Sequence, residues 1–133
     1  MLGVSFKSII DNSQTYTILL ASGITEADEG KALSLDTSAA NTAKLAADDD
    51  EIIGYLGRVE NRIVESELVG QLVAGNSFAL PIKSSLTGGD VVALGSYALG
   101  AGSGEIKGSA TATGKFRVVE LLAGGTHAVV AKI

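Results

Sequence analysis

Short aliphatic runs, each closed by glycine or by a cluster of polar turn residues, recur along the whole chain. In some of them, as over residues 2–7, apolar and polar side chains alternate, and the others are rich in β-forming residues. Alternation is the period of a half-buried strand, whereas a surface helix repeats its apolar face every three to four residues. Seventeen glycines against a single proline supply frequent turn points. The pattern predicts a mainly β protein with little helix. With 133 residues the chain has the length of one domain, since domains commonly hold about 100–150 residues.

Read in order, Leu2, Val4 and Phe6 alternate with Gly3, Ser5 and Lys7, and Ile9-Ile10 then breaks the alternation. A polar Asp11-Asn12-Ser13 turn follows. Residues 1–14 therefore read as an extended N-terminal arm ahead of a body at 15–133. Strands are expected at residues 15–20, 30–35 and 52–64, with a polar stretch over 36–50. Residues 65–77 carry two signals: Leu68, Val69, Leu72 and Val73 have helical spacing, while Val69, Gln71 and Val73 alternate. The turn chemistry of Ala74-Gly75-Asn76-Ser77 favours two strands around that point, with Phe78, Leu80 and Ile82 on one face of the second. Pro81 lies inside that strand and confines it to a sheet edge, because proline has no N–H to give to a ladder. A Gly-Gly turn opens an expected strand at 89–94. The glycine-rich residues 95–113 read as an exposed loop. Strands at 116–122 and 127–133, joined by a hairpin connection at 123–126, complete the chain.

A repeat is visible. Gly30-Lys-Ala-Leu-Ser-Leu matches Gly89-Asp-Val-Val-Ala-Leu in pattern, and Gly54-Tyr-Leu-Gly-Arg-Val-Glu matches Gly114-Lys-Phe-Arg-Val-Val-Glu. Two imperfect copies suit a compact β-barrel or sandwich with two similar halves, about 24–64 and 84–133, rather than a solenoid.

Composition bounds the function. Hydrophobic residues make up 46% but aromatics only 5%, with no Trp, so the core is built from Val, Ile, Leu and Ala. A net charge of −5 and the absence of any Lys/Arg run argue against a phosphate-backbone binder. Without cysteine there is neither a disulfide nor a thiolate metal site. No apolar run reaches the roughly 18 residues that span a bilayer. The first residues lack the basic start and long apolar stretch of a secretory signal, so synthesis in the host cytoplasm is expected.

Side chains for turnover are scarce, and no catalytic, cofactor-binding or metal-binding residue is assigned. A histidine triad would rest wholly on His127, the one histidine, just after a turn. Asp48-Asp49-Asp50-Glu51 invites a calcium reading. Its acids are consecutive rather than at alternating positions, so their side chains are expected to diverge as a solvated acidic loop. Gly100-Ala-Gly-Ser-Gly104 superficially matches a phosphate loop but is followed by neither a Lys-Ser/Thr pair nor a helix, and so has no anion-holding mechanism. Glu60 and Glu120, at matching places in the repeat, read as surface acids at strand ends.

Three segments carry a family resemblance: Glu26-Ala-Asp-Glu-Gly-Lys-Ala-Leu-Ser-Leu-Asp36, Lys44-Leu-Ala-Ala-Asp48 and Ile52-Ile-Gly-Tyr-Leu56. Together they resemble the capsid decoration (head cement) proteins of tailed bacteriophages, and the stretch from Gly89-Asp-Val-Val to Val129-Val-Ala-Lys-Ile133 is similar to them too. The resemblance covers roughly residues 15–133. It implies a compact, β-tulip-like barrel body with an N-terminal arm, without enzymatic activity or cofactor. It further implies a place on the outer surface of the expanded head in the virion, and two partners: the major capsid protein and the chain itself, as a homotrimer or a dimer. Nucleic acid and membrane are not implied. The chain lacks the long, proline-rich N-terminal tail of some such proteins. On this reading Leu2, Val4, Phe6, Ile9 and Ile10 are the capsid-binding residues, adding a strand to a coat-protein sheet edge. The rival reading is a β-module of the phage tail or baseplate, or a host-surface adhesin.

Overall fold

The structure, a computed structural model, describes residues 14–62, 67–111 and 115–132. It is mainly β, as expected. Ten strands follow one another: β1 (Gln14–Leu20), β2 (Ala32–Leu35), β3 (Thr42–Leu45), β4 (Gly54–Arg62), β5 (Glu67–Ala74), β6 (Ser77–Pro81), β7 (Tyr97–Gly102), β8 (Glu105–Ser109), β9 (Phe116–Leu122) and β10 (His127–Lys132). The only helical pieces among the described residues are single 3-10 turns at Glu26–Asp28, Gly88–Asp90 and Ala123–Gly125.

The strands form a closed five-stranded barrel in the order β1-β3-β2-β4-β5 and a five-stranded sheet in the order β6-β10-β9-β7-β8. A parallel bridge between Ile82 and Ile106 brings the free sides of β6 and β8 together. Run once around, the second sheet has the circular order of the first. The correspondence holds rung by rung. Tyr16, Leu72 and Leu56 lie side by side across β1, β5 and β4; Phe78, Val130 and Val118 do so across β6, β10 and β9. Gly30 N–H donates to Leu56 O (2.7 Å) and Leu56 N–H to Lys31 O (2.9 Å). In the second module Gly95 N–H donates to Val118 O and Val118 N–H to Ser96 O, both at 2.8 Å. Both modules carry a bulge just beyond this rung, between Leu56 and Val59 and between Val129 and Val130. The hydrogen bonds thus equate Gly30 with Gly95 and Tyr55 with Arg117, a register a few residues away from the pattern match of Gly30 to Gly89 and Gly54 to Gly114. The division between modules falls between β5 and β6.

Of residues 65–77, the described ones from Glu67 form strand β5 up to Ala74 and, after the turn at Gly75 and Asn76, open β6 at Ser77. Pro81 sits on β6, at an end of the strand order, opposite His127. Two expectations fail. Residues 89–94 are not a strand, because their backbone groups are used locally. Asp90 N–H donates to Thr87 O, Val91 N–H to Gly88 O, and Ser96 N–H to Ala93 O, which leaves no ladder to build. Of residues 95–113, the described 95–111 are not an exposed loop: they hold the β7–β8 hairpin, with Ala98, Leu99, Ala101 and Ile106 buried. Glycine here serves close packing. A Cβ on Gly100 would lie 2.2 Å from Ala47 O and 3.0 Å from the Ala46 Cβ, so only a bare backbone fits.

Two apolar clusters fill the molecule. The first lies inside the barrel and centres on Leu20, Leu33, Leu56 and Leu72. The second lies inside the second module around Phe78, Leu80, Ile106, Phe116 and Val118, and takes in Ala32, Ala46 and Ile52 from the first. The Phe78 ring sits between Phe116 (centroids 5.0 Å apart) and Tyr55 of the first module (5.5 Å). One module therefore completes the other's core. At about 25 cal/mol per Å² of buried apolar surface, sharing large side chains in this way couples the two energetically.

Candidate functional site

The five residues assigned to capsid binding (Leu2, Val4, Phe6, Ile9 and Ile10) lie outside the described residues. The chain enters the described body at Gln14, whose side chain lines a groove of about 250 Å³ with Tyr16, Ala74, Gly75, Asn76 and Lys132. Tyr16 Oη donates to Gln14 Oε1 across this groove.

The acidic run 48–51 is solvated as expected, with the Asp48 and Asp49 side chains 68% and 71% exposed, but these two acids do not diverge. Asp49 has a left-handed backbone (φ 67°), which short polar side chains tolerate, and this turns its carboxylate to the same side as that of Asp48. Asp48 Oδ1 and Asp49 Oδ1 each lie 2.7 Å from Lys107 Nζ, on β8 of the second module. Lys107 is only 8% exposed. The carboxylates of Asp48 and then Asp49 hold its pKa above the ordinary lysine value, against the opposing effect of burial. The ion pairs therefore persist at alkaline pH where a free lysine discharges. Burial works to raise the Asp50 carboxyl, but hydrogen bonds from Ala47 N–H (2.9 Å) and Ser34 Oγ (3.0 Å), with Lys44 Nζ at 3.2 Å, outweigh it and hold its pKa below the usual value. Glu51 pairs with Lys115 at 3.3 Å.

The same loop is stitched to the β7–β8 hairpin through its backbone. Asp49 N–H donates to Gly100 O (3.0 Å), Gly100 N–H to Asp50 O (2.9 Å), Gly104 N–H to Ala46 O (3.1 Å) and Ala32 N–H to Gly104 O (2.8 Å). The acids and the Gly100–Gly104 run, which the sequence presents as two unrelated motifs, are the two sides of one junction between modules.

The other residues singled out in the sequence stay apart. His127 is exposed, its Nδ1 3.0 Å from Thr126 Oγ1. Glu60 and Glu120 are exposed on β4 and β9, at positions that do not correspond between the modules. No group of three or more histidines or acids among the described residues converges as a metal site.

What the sequence did not flag is a set of exposed large apolar side chains. Tyr16 (49% exposed) and Leu35 (55%) lie at one end of the first barrel; Val91 (49%) and Leu94 (67%) lie on the connection before β7. Leu35 borders a second groove, of about 320 Å³, with Ser34, Asp50, Glu51, Ile53 and Lys115. Exposed apolar groups that cluster, rather than scatter singly, mark contact surfaces. No family model, curated protein or solved structure matches this chain.

Proposed function

We propose that this chain is a structural decoration protein that binds the outer surface of an expanded phage head and ties neighbouring major capsid subunits together. The observation that carries the reading is the resemblance of residues 26–36, 44–48 and 52–56 to phage decoration proteins. Those residues supply β2, the end of β3, the first acid of the loop (Asp48) and the start of β4. A body whose two modules share one core suits a part that resists strain. In this reading Leu2, Val4, Phe6, Ile9 and Ile10 add as a strand to a coat-protein sheet edge, where backbone hydrogen bonds give affinity and alternate side chains give specificity. A ligand that binds only the assembled shell stabilises it by mass action.

Co-sedimentation with purified expanded heads tests this. The full chain is expected to pellet with heads and not with isolated tails. Deleting residues 2–10 is expected to weaken binding by about tenfold or more, which is roughly 1.4 kcal/mol. Full binding by the deletion variant would refute the arm's role. A full chain that stays in the supernatant, or pellets only with tails, would refute the reading itself.

A further inference from the structure

The duplication supplies an internal control for every exposed surface, because each module shows what covers the corresponding surface of the other. One end of the second module, at Phe78, Gly100 and Lys107, is closed by a flank of the first, made of Ala32, Ala46–Asp50, Ile52 and Tyr55. The flank and the end are different parts of the shared fold, so the junction is head-to-tail rather than two-fold. A head-to-tail junction used once leaves one end and one flank over.

The leftover end belongs to the first barrel. By register, Tyr16 stands where Phe78 does and Leu35 where Gly100 does: Leu35 pairs with Ala43, as Gly100 pairs with Ile106. Lys44 stands where Lys107 does. Phe78 is 2% exposed and Gly100 is buried, whereas Tyr16 and Leu35 are both about half exposed. The leftover flank belongs to the second module. Tyr97, Ser109 and Arg117 occupy the places of Ala32, Ala46 and Tyr55, with the Arg117 guanidinium 4.7 Å above the Tyr97 ring. Beside them the connection from the 3-10 turn to β7 is three residues longer than its counterpart before β2. It carries Val91 and Leu94, and Val91 lies against the backbone of Gly108. Four of the five large hydrophobic side chains exposed among the described residues thus fall on the two surfaces that the internal junction leaves open.

We propose that a second copy of this chain seats the flank of its second module (Val91, Leu94, Tyr97 and Arg117) on the open end of the first barrel (Tyr16 and Leu35), repeating between chains the junction that joins the modules within one. Such a heterologous contact closes into a ring where its rotation permits and otherwise extends as a filament. The inference rests on the duplication alone and stands or falls separately from the capsid reading.

Light scattering of the full chain after size-exclusion chromatography tests it, with Leu35→Glu and Leu94→Glu as the informative variants and Leu121→Glu, an exposed position off both surfaces, as control. The wild type and Leu121→Glu are expected to run as assemblies of more than one chain. Leu35→Glu and Leu94→Glu are each expected to run as folded monomers whose melting temperature matches that of wild type diluted until it is monomeric. Mixing those two variants restores one intact end and one intact flank, so a two-chain species is expected and nothing larger. A monomeric wild type at all micromolar concentrations would overturn the proposal. So would an assembly that survives both substitutions, or a mixture that stays monomeric.

Discussion

Gly100 and Asp50 show how single residues govern the junction. An alanine at Gly100 would push its methyl into Ala47 O at 2.2 Å, and both neighbours are backbone or buried alanine with no room to yield. We expect Gly100→Ala to cost about 2–3 kcal/mol, the upper range for overpacking, read as a lowered urea midpoint. Gly89→Ala, where nothing lies within 4 Å, is the contrast and is expected to change stability by less than about 0.5 kcal/mol. Asp50 makes stability pH-dependent. Its folded pKa lies below the unfolded value, so its contribution is complete above the unfolded carboxylate pKa and is lost as pH falls through the folded one. Asp50→Asn is therefore expected to cost roughly 1–2 kcal/mol at pH 7, with the gap to wild type closing at strongly acid pH in denaturant titrations. Neither residue is legible beforehand. Glycine in a Ser/Ala background reads as a loop because its role in close packing depends on a neighbour some fifty positions away. The convergence of Asp48 and Asp49 depends on a backbone turn that composition does not encode.

Among the elements, the long antiparallel pairs were legible and the seams were not. Residues 116–122 and 127–133 read as aliphatic, β-forming runs around a glycine turn, and β9 and β10 fall where those runs lie. The short β2, β3, β7 and β8 bury both faces or hold glycine, so their period is weak and their pairing is decided by tertiary contact. Each module closes at a parallel contact between its first strand region and its third: two residue pairs between β1 and β3, and the single Ile82–Ile106 bridge between β6 and β8. Few hydrogen bonds across a seam mean a low local opening energy. In native-state hydrogen exchange, the Lys83 amide, which donates to Ile106 O across the seam, is expected to exchange well before those of Val129 and Val130, which lie between two paired strands. Equal protection at the two places would contradict this account of the seam.

At the scale of the whole molecule the shared core makes two modules into one body. Phe78 sits at its centre, so Phe78→Ala is expected to cost about 3–5 kcal/mol and to lower a single calorimetric transition rather than split it. The β class and the presence of a repeat could be read from glycine-led runs of β-forming residues. The register of the repeat could not, because hydrogen bonds and not similar letters define equivalence. The arm proposed to bind the capsid is an alternating pattern in the sequence that lies outside the described residues. The function proposed for this fold is adhesion to a phage shell. Electron cryo-microscopy of purified phage particles with expanded heads, incubated with the full chain, tests it most directly. The account predicts a regular array of two-lobed densities on the outer face of the head, each fitted by the paired modules. Particles whose heads lack that density, or that carry it only on the tail, would contradict it.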